Sequence, residues 1–306
     1  MTNLELHLYR LQCDSMILYA KPSIAKFAMR LCPRRTPCQP LPPGEKSETP
    51  MTKEILRYGE LSENEVKFYN AFGYLALPGL ISRNAAERLS QDVLQVMEGL
   101  GVSRADLSRA SSSKDKLRQS SQYLAGSALE RLIHSERLLR IASRLMGGSS
   151  TLYLPFTAVK SGGGGGRFHF HQDNQYTRFD GPGINIWFAL GEMSPENGCL
   201  QVAPATHLQG TFDPVESEDR DGHRTVAVEP EDFLPIRMMP GDAIAFTRLT
   251  LHGSGANSSD QPRLGYAVQF HRDDVRATRD GVDIGLLKEK PRFNIRPVDR
   301  ISPANE

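Results

Sequence analysis

From Thr151 onward the chain is written in short apolar runs divided by Gly, Pro, Asn and Asp: Leu152 to Val159, Phe168 to Gln172, Ile184 to Leu190, Cys199 to Ala203, Thr225 to Val228, Ile236 to Met239, Ala243 to Thr247 and Leu264 to His271. Runs this short, this evenly spaced and bounded by turn residues are strands, and so many in succession have to close on themselves as a sandwich or barrel of jelly-roll type. The preceding hundred or so residues obey a different period. Ser62-Glu63-Asn64-Glu65 is a capping box opening a helix with Val66, Tyr69 and Phe72 on one face and Gly73 at its end. Tyr74 to Pro78 is a short strand, Ser82 begins a second helix that Gly99 and Gly101 end, and helical spacing returns from Ser127 to Met146 with a break near Ser135. Residues 103 to 123 carry no period and read as a loop or lid. The fold class expected is therefore mainly β with flanking helices.

Residues 1–50 differ in character from the remainder of the chain. The proline- and arginine-rich stretch from Arg30 to Pro50 reads as an N-terminal extension with little order, and residues 51–306 read as a single domain. The extension lacks the serine richness and arginine-faced helix of a transit peptide. Charge is balanced, 37 Lys and Arg against 36 Asp and Glu, which gives no reason to expect nucleic acid or an anionic membrane as partner. No apolar run is long enough to span a membrane. Cys13, Cys32, Cys38 and Cys199 lack metal-type spacing and read as reduced thiols, so the expected compartment is the cytoplasm.

The chemistry is concentrated in Arg167-Phe168-His169-Phe170-His171-Gln172-Asp173-Asn174-Gln175-Tyr176, directly after the glycine run Gly162 to Gly166. On an extended strand His169, His171 and Asp173 share a face. A histidine and a carboxylate so placed make two thirds of a 2-His-1-carboxylate facial triad, the ligand set that holds Fe(II) and leaves positions open. A third ligand has to come from a distant strand. His252, where the strand after Pro240-Gly241-Asp242 gives way to Gly253-Ser254-Gly255, is in the right place. Arg263 follows at the start of the next strand, and a fixed guanidinium suits a bidentate grip on a carboxylate.

In their order and spacing, His171-Gln172-Asp173, Asn197-Gly198-Cys199-Leu200, Pro204-Ala205-Thr206-His207 and His252 with Arg263 resemble the phytanoyl-CoA dioxygenase family. The opening Leu61-Ser62-Glu63, Phe72-Gly73-Tyr74-Leu75 and Pro78-Gly79 resemble it too, so the likeness runs from about residue 55 to 272. It implies a double-stranded β-helix (a cupin-like jelly roll) and an Fe(II)- and 2-oxoglutarate-dependent dioxygenase that couples O2 reduction and release of succinate and CO2 to oxidation of a C–H bond in a small-molecule substrate. It implies further that His171, Asp173 and His252 are the catalytic iron ligands and that Arg263 holds the distal carboxylate of 2-oxoglutarate. Lys160 and Gln172 would line the co-substrate pocket and Trp187 would flank it. A carboxylate at 173, where halogenases of this fold have a small residue, implies hydroxylation or a related oxidation. Two departures stand out: Ala205 occupies a position where the family usually has glycine, and the five-glycine run suggests a mobile approach to the metal.

Two other readings compete. A cupin-like isomerase or lyase would bind metal through His169, His171 and His252 without 2-oxoglutarate, and Arg263 argues against it. A metal-binding module without turnover would be expected to have lost a ligand, and the set is complete. Neither the substrate nor the oligomeric state has a signature: the helical layer, residues 103–123 and the segment from Asp213 to Pro235 would bind substrate but carry no recognisable motif.

Overall fold

A computed structural model of the chain describes Leu56 and residues 60–108, 118–173, 178–216, 224–227, 233–279 and 281–289, with the backbone of 296–298. The N-terminal extension lies outside the described residues. The helices start where their caps require. Ser62 Oγ accepts the Glu65 N–H at 3.3 Å and the Ser62 N–H donates to Glu65 Oε2 at 2.7 Å, completing the capping box of α1 (Glu63–Phe72). Gly73, at φ 78°, ends that helix and turns the chain into β1 (Tyr74–Leu77). Ser82 caps α2 (Arg83–Gly99). The stretch expected to be a loop contains α3 (Arg104–Ser108) and β2 (Gln122–Leu124). The Asp106 carboxylate accepts the Ser103 N–H at 2.8 Å and Ser103 Oγ accepts the Asp106 N–H, a cap that the surrounding serines obscure in the sequence. Ser127 and Ser135 cap α4 (Ala128–Ile133) and α5 (Glu136–Met146), which gives the expected break.

The remaining strands are β3 (Ser150–Lys160), β4 (Phe168–His171), β5 (Arg178–Asp180), β6 (Gly183–Ala189), β7 (Leu200–Val202), β8 (Pro214–Glu216), β9 (Arg224–Val226), β10 (Leu234–Pro235), β11 (Ala243–Thr247), β12 (His252–Ser254), β13 (Arg263–Arg272), β14 (Arg276–Arg279), β15 (Val282–Leu286) and β16 (Arg296–Val298). Two antiparallel sheets form the jelly roll, β1-β11-β6-β13-β3 and β10-β7-β12-β4. Both faces of the larger sheet are covered, which is why β6 is apolar apart from Asn185. Ile184, Ile186 and Phe188 pack with α2, α4 and α5, while Trp187 and Ala189 face the barrel interior with Ala158, Val202, Ile244, Phe246 and Ala267.

Four differences from expectation have physical causes. The strand placed at Ile236 to Met239 is instead the two-residue β10, with only Met238 bridging Met193 beyond it; Pro235 has no N–H to carry the ladder on. Strands β5, β8, β14 and β15 escaped notice because they are short and carry charges at exposed positions. His252 does not trail its strand but opens a new one in the opposite sheet, after the turn from Arg248 to Leu251. The glycine run is a packed crossing and not a mobile approach. Gly162, Gly163 and Gly164 donate to Leu107, Ser259 and Asn257 carbonyls at 2.9, 2.6 and 3.0 Å, and a Cβ on Gly162 would lie 2.7 Å from the Asp260 backbone.

The turn after β7 locks the helical layer to the sheets. The Ala205 N–H donates to Phe72 O, Thr206 Oγ1 donates to Ala203 O and accepts the Leu251 N–H, and the His207 ring contacts Asn70 O. Ala205 is held at φ 63°, the one non-glycine residue at positive φ among the described residues. Alanine in that conformation is disfavoured by about 1 kcal/mol or more relative to glycine. Ala205→Gly is therefore expected to raise stability by about 0.5–1 kcal/mol and Tm by about 2 °C in thermal unfolding; a lower Tm would mean that the methyl group's packing outweighs the backbone strain.

Candidate metal centre

Antiparallel pairing of β4 with β12 sets His171 opposite His252. One residue past the end of β4 the chain turns, and the Asp173 N–H donates to Arg248 O at 3.0 Å, which brings the carboxylate back over the two rings. One donor atom from each of His171, Asp173 and His252 lies within 4.8 Å of the others, and no other His, Cys, Asp or Glu group among the described residues converges in this way. Each imidazole is oriented by the backbone: His171 Nδ1 sits 2.9 Å from His169 O and His252 Nδ1 3.0 Å from Thr250 O. A carbonyl can only accept, so Nδ1 carries a proton in both rings, and Nε2 is the nitrogen left facing the centre. His252 Nε2 is 3.5 Å from Asp173 Oδ1. Phe246 packs at 4.5 Å against the His252 ring and Phe168 at 4.7 Å against His171.

Burial would raise the Asp173 carboxyl, but His252, through charge and hydrogen bond, with His171 and the Asn185 amide, outweighs it and holds the group below the usual aspartate range. The Asn185 amide donates to Asp173 Oδ2 at 3.3 Å from β6. The sequence reading missed Asn185, although a lone amide inside the apolar strand Gly183-Ile184-Asn185-Ile186-Trp187 is a signal, because a buried polar group needs a partner.

The other expected residues divide. Arg263 is 3% exposed, and among the described residues its Nε has no hydrogen-bond partner and the guanidinium no ion-pair partner. Burial lowers its pKa to about 10, so it remains cationic at neutral pH. It lies over the Trp187 ring at 5.1 Å. Lys160 pairs in register with Arg263 across β3 and β13, is fully buried, and donates to Ser254 Oγ at 2.8 Å and to Gly255 O. Gln172 is a correction. Between two residues that face the centre it points the other way, donating to Gly210 O at 2.9 Å and Leu249 O at 2.7 Å and accepting the Phe212 N–H at 2.9 Å. It clamps backbone and lines no pocket. His169 also stays out of the converging set and contributes its carbonyl to the His171 ring.

Two imidazole nitrogens and one carboxylate meeting at a point are the donor set of a non-haem Fe(II) site. The buried Arg263 guanidinium, without an ion-pair partner among the described residues, has the fork geometry that suits a carboxylate. A jelly roll holding both defines a class, the non-haem iron oxygenases. A family profile described as phytanoyl-CoA dioxygenase (PhyH) matches residues 69–265, and the chain belongs to that family. It is accordingly an oxidoreductase of the Fe(II)- and 2-oxoglutarate-dependent dioxygenase type. The chain is 27% identical over 208 residues to the methylphosphonate hydroxylase of Gimesia maris, covering 66% of this chain and 78% of that protein. It is 25% identical over 237 residues to dioxygenase lolE1 of Epichloe uncinata, covering 73% and 88%. Among solved structures, EvdO2 of Micromonospora carbonacea var. aurantiaca complexed with 2-oxoglutarate has the same fold, at TM-score 0.57 and 21% identity over 79% of this chain and 100% of that one. Among the described residues no helix is long and apolar enough to cross a membrane.

Trp187 is the chain's single tryptophan, and a Cβ on Gly265 would approach its ring to 2.4 Å. Gly265→Ala is expected to displace the indole from beneath Arg263, seen as a shifted fluorescence maximum in a protein that still folds. An unchanged spectrum would contradict this packing.

Proposed function

We propose that this protein oxidises a C–H bond of a small-molecule substrate with Fe(II) held by His171, Asp173 and His252, and that Arg263 grips the distal carboxylate of 2-oxoglutarate. The observation that carries this is the meeting of the three donors at one end of a barrel that also buries an unpaired guanidinium. When bound, Fe(II) and 2-oxoglutarate supply the oxidising chemistry, with succinate and CO2 as by-products. The chain's own residues hold and shield. The His169 and Thr250 carbonyls fix the two tautomers, so that both rings present Nε2 without rearrangement. Asn185 holds one carboxylate oxygen of Asp173 and leaves the other directed at the centre. Trp187 and Lys160 line the space below Arg263, and Phe246 keeps water from one side of His252. With Asp173 filling the third protein position, the reaction is a hydroxylation or a related C–H oxidation. Two relatives carry the names methylphosphonate hydroxylase and ectoine dioxygenase, which supports a small-molecule substrate.

Adding Fe(II) and then 2-oxoglutarate without oxygen should produce the weak visible charge-transfer band of a chelated iron site and quench Trp187 fluorescence. Asp173→Ala should weaken metal binding by about a hundredfold or more. Arg263→Met should leave metal binding in place and weaken 2-oxoglutarate by about thirtyfold or more, since the bound carboxylate loses its cationic partner. Iron binding with no band would refute the role given to 2-oxoglutarate.

A separate variant tests the orienting amide. Asn185→Ala should lower Fe(II) affinity by about tenfold with the fold intact, measured by competition with a metal-chelating dye. Unaltered affinity would remove Asn185 from the site.

A further inference from the structure

A second buried guanidinium flanks the triad, and neither the metal centre nor the 2-oxoglutarate cradle uses it. Arg248 is 6% exposed, and among the described residues its Nη1 has no hydrogen-bond partner. Its polar side-chain contact is Nη2 to Pro182 O at 3.3 Å, and the guanidinium stacks on the Phe179 ring at 4.2 Å. Arg248 is the first residue after β11. Its backbone is bonded at both ends to the centre's surroundings, N–H to Gly183 O and carbonyl to the Asp173 N–H. Gly183 makes room for it: a Cβ there would lie 1.8 Å from Arg248 Nη2. The acidic side chain that acts on it is Asp173, which is not within ion-pair distance and is committed to the triad. Tyr153, half-buried on β3, packs edge-on at 5.7 Å against the same Phe179 ring on which Arg248 stacks.

A cation out of water and without a counter-ion is costly, by several kcal/mol even after the surroundings relax. A protein keeps such a group where a ligand completes it, as proposed for Arg263. The Arg263 cradle lies beyond Trp187, toward the far end of β13, whereas Arg248 sits beside Asp173 at the β4–β12 end, next to Gly183. Guanidinium geometry fits a carboxylate or phosphonate through paired N–H groups, and a phenol O–H adds a third donor. We propose that Arg248, with Tyr153, is the receptor for an acidic group on the primary substrate, so that the substrate class is a small organic anion carrying a carboxylate or phosphonate. This rests on the oxygenase reading of the metal centre. Burial lowers the Arg248 pKa to about 10, leaving it charged at neutral pH.

The test uses the full chain loaded without oxygen with Fe(II) and saturating 2-oxoglutarate, so that the Arg263 cradle is filled. Propionate is titrated against propionamide, and ethylphosphonate against its diethyl ester, following Trp187 fluorescence and the charge-transfer band. Each anion is expected to bind at least tenfold tighter than its neutral counterpart. The pair with the larger ratio identifies the acidic group. Arg248→Met should abolish the preference, Arg248→Lys should retain part of it, and Tyr153→Phe should weaken the anion by severalfold. Equal binding of anion and neutral probe to wild type, or a preference surviving in Arg248→Met, overturns the proposal. Should Arg248→Met fail to fold, an unchanged preference in both Arg248→Lys and Tyr153→Phe does so. Loss of the charge-transfer band in wild type is a failure of the oxygenase reading instead, because calorimetry of the metal-free Arg263→Met chain still reports whether Arg248 selects anions.

Discussion

The register between β4 and β12 is the constraint on which the rest depends. His171 and His252 belong to segments far apart in sequence, and they meet because antiparallel pairing sets them opposite each other. Strand side chains alternate, so a slip of one residue between the two strands would turn the two imidazoles to opposite faces. Several features pin that register from outside. Leu251 N–H reaches Thr206 Oγ1, Gln172 clamps Leu249 and Gly210, and β12 also pairs with β7. Gln172 thus serves the centre without touching it: the residue between two that face the centre is free to bind the scaffold behind.

Electrostatics divides the barrel interior into a region around one acid and regions around cations. Asp173 is surrounded by donors from His252, His171 and Asn185 and stays ionised. Arg263, Lys160 and Arg248 are buried around it, and neither arginine has a carboxylate within ion-pair distance among the described residues. Such an interior is unfavourable as it stands, and it becomes favourable when anions and a metal ion enter. A site of this kind gains specificity by being incomplete, because a ligand lacking the matching charge leaves a buried group unpaired.

The features of this fold that were legible in the sequence share a cause: each rests on local or periodic chemistry. Ser62, Ser82, Ser127 and Ser135 announced helix starts, since a hydroxyl before an apolar period is a local cap. The apolar runs that form β3, β6, β11 and β13 were visible because strands buried on both faces have little polar sequence. The short charged strands were hidden, as was the sheet switch between Thr247 and His252, which depends on the Thr247–Thr250 turn and its bond to Gly73 O. The triad could be read from residue types and order. Asn185 and Arg248 could not be singled out as easily, because an amide or a guanidinium acquires its meaning from the burial around it, and burial is a property of the assembled sheets.

Glycine placement links these levels. Gly183 leaves the space that the Arg248 guanidinium fills, and Gly265 leaves the space for the Trp187 ring on which Arg263 rests. Neither glycine is at positive φ, so backbone conformation does not demand them. In a strand interior glycine loses stability relative to a larger residue. Its presence at two strand positions, each beneath a group that helps to bury an arginine, indicates that the sheet gives up packing to admit charge. The same sheet that makes the core hydrophobic is thereby shaped, one missing side chain at a time, into a receptor for anions beside the metal centre.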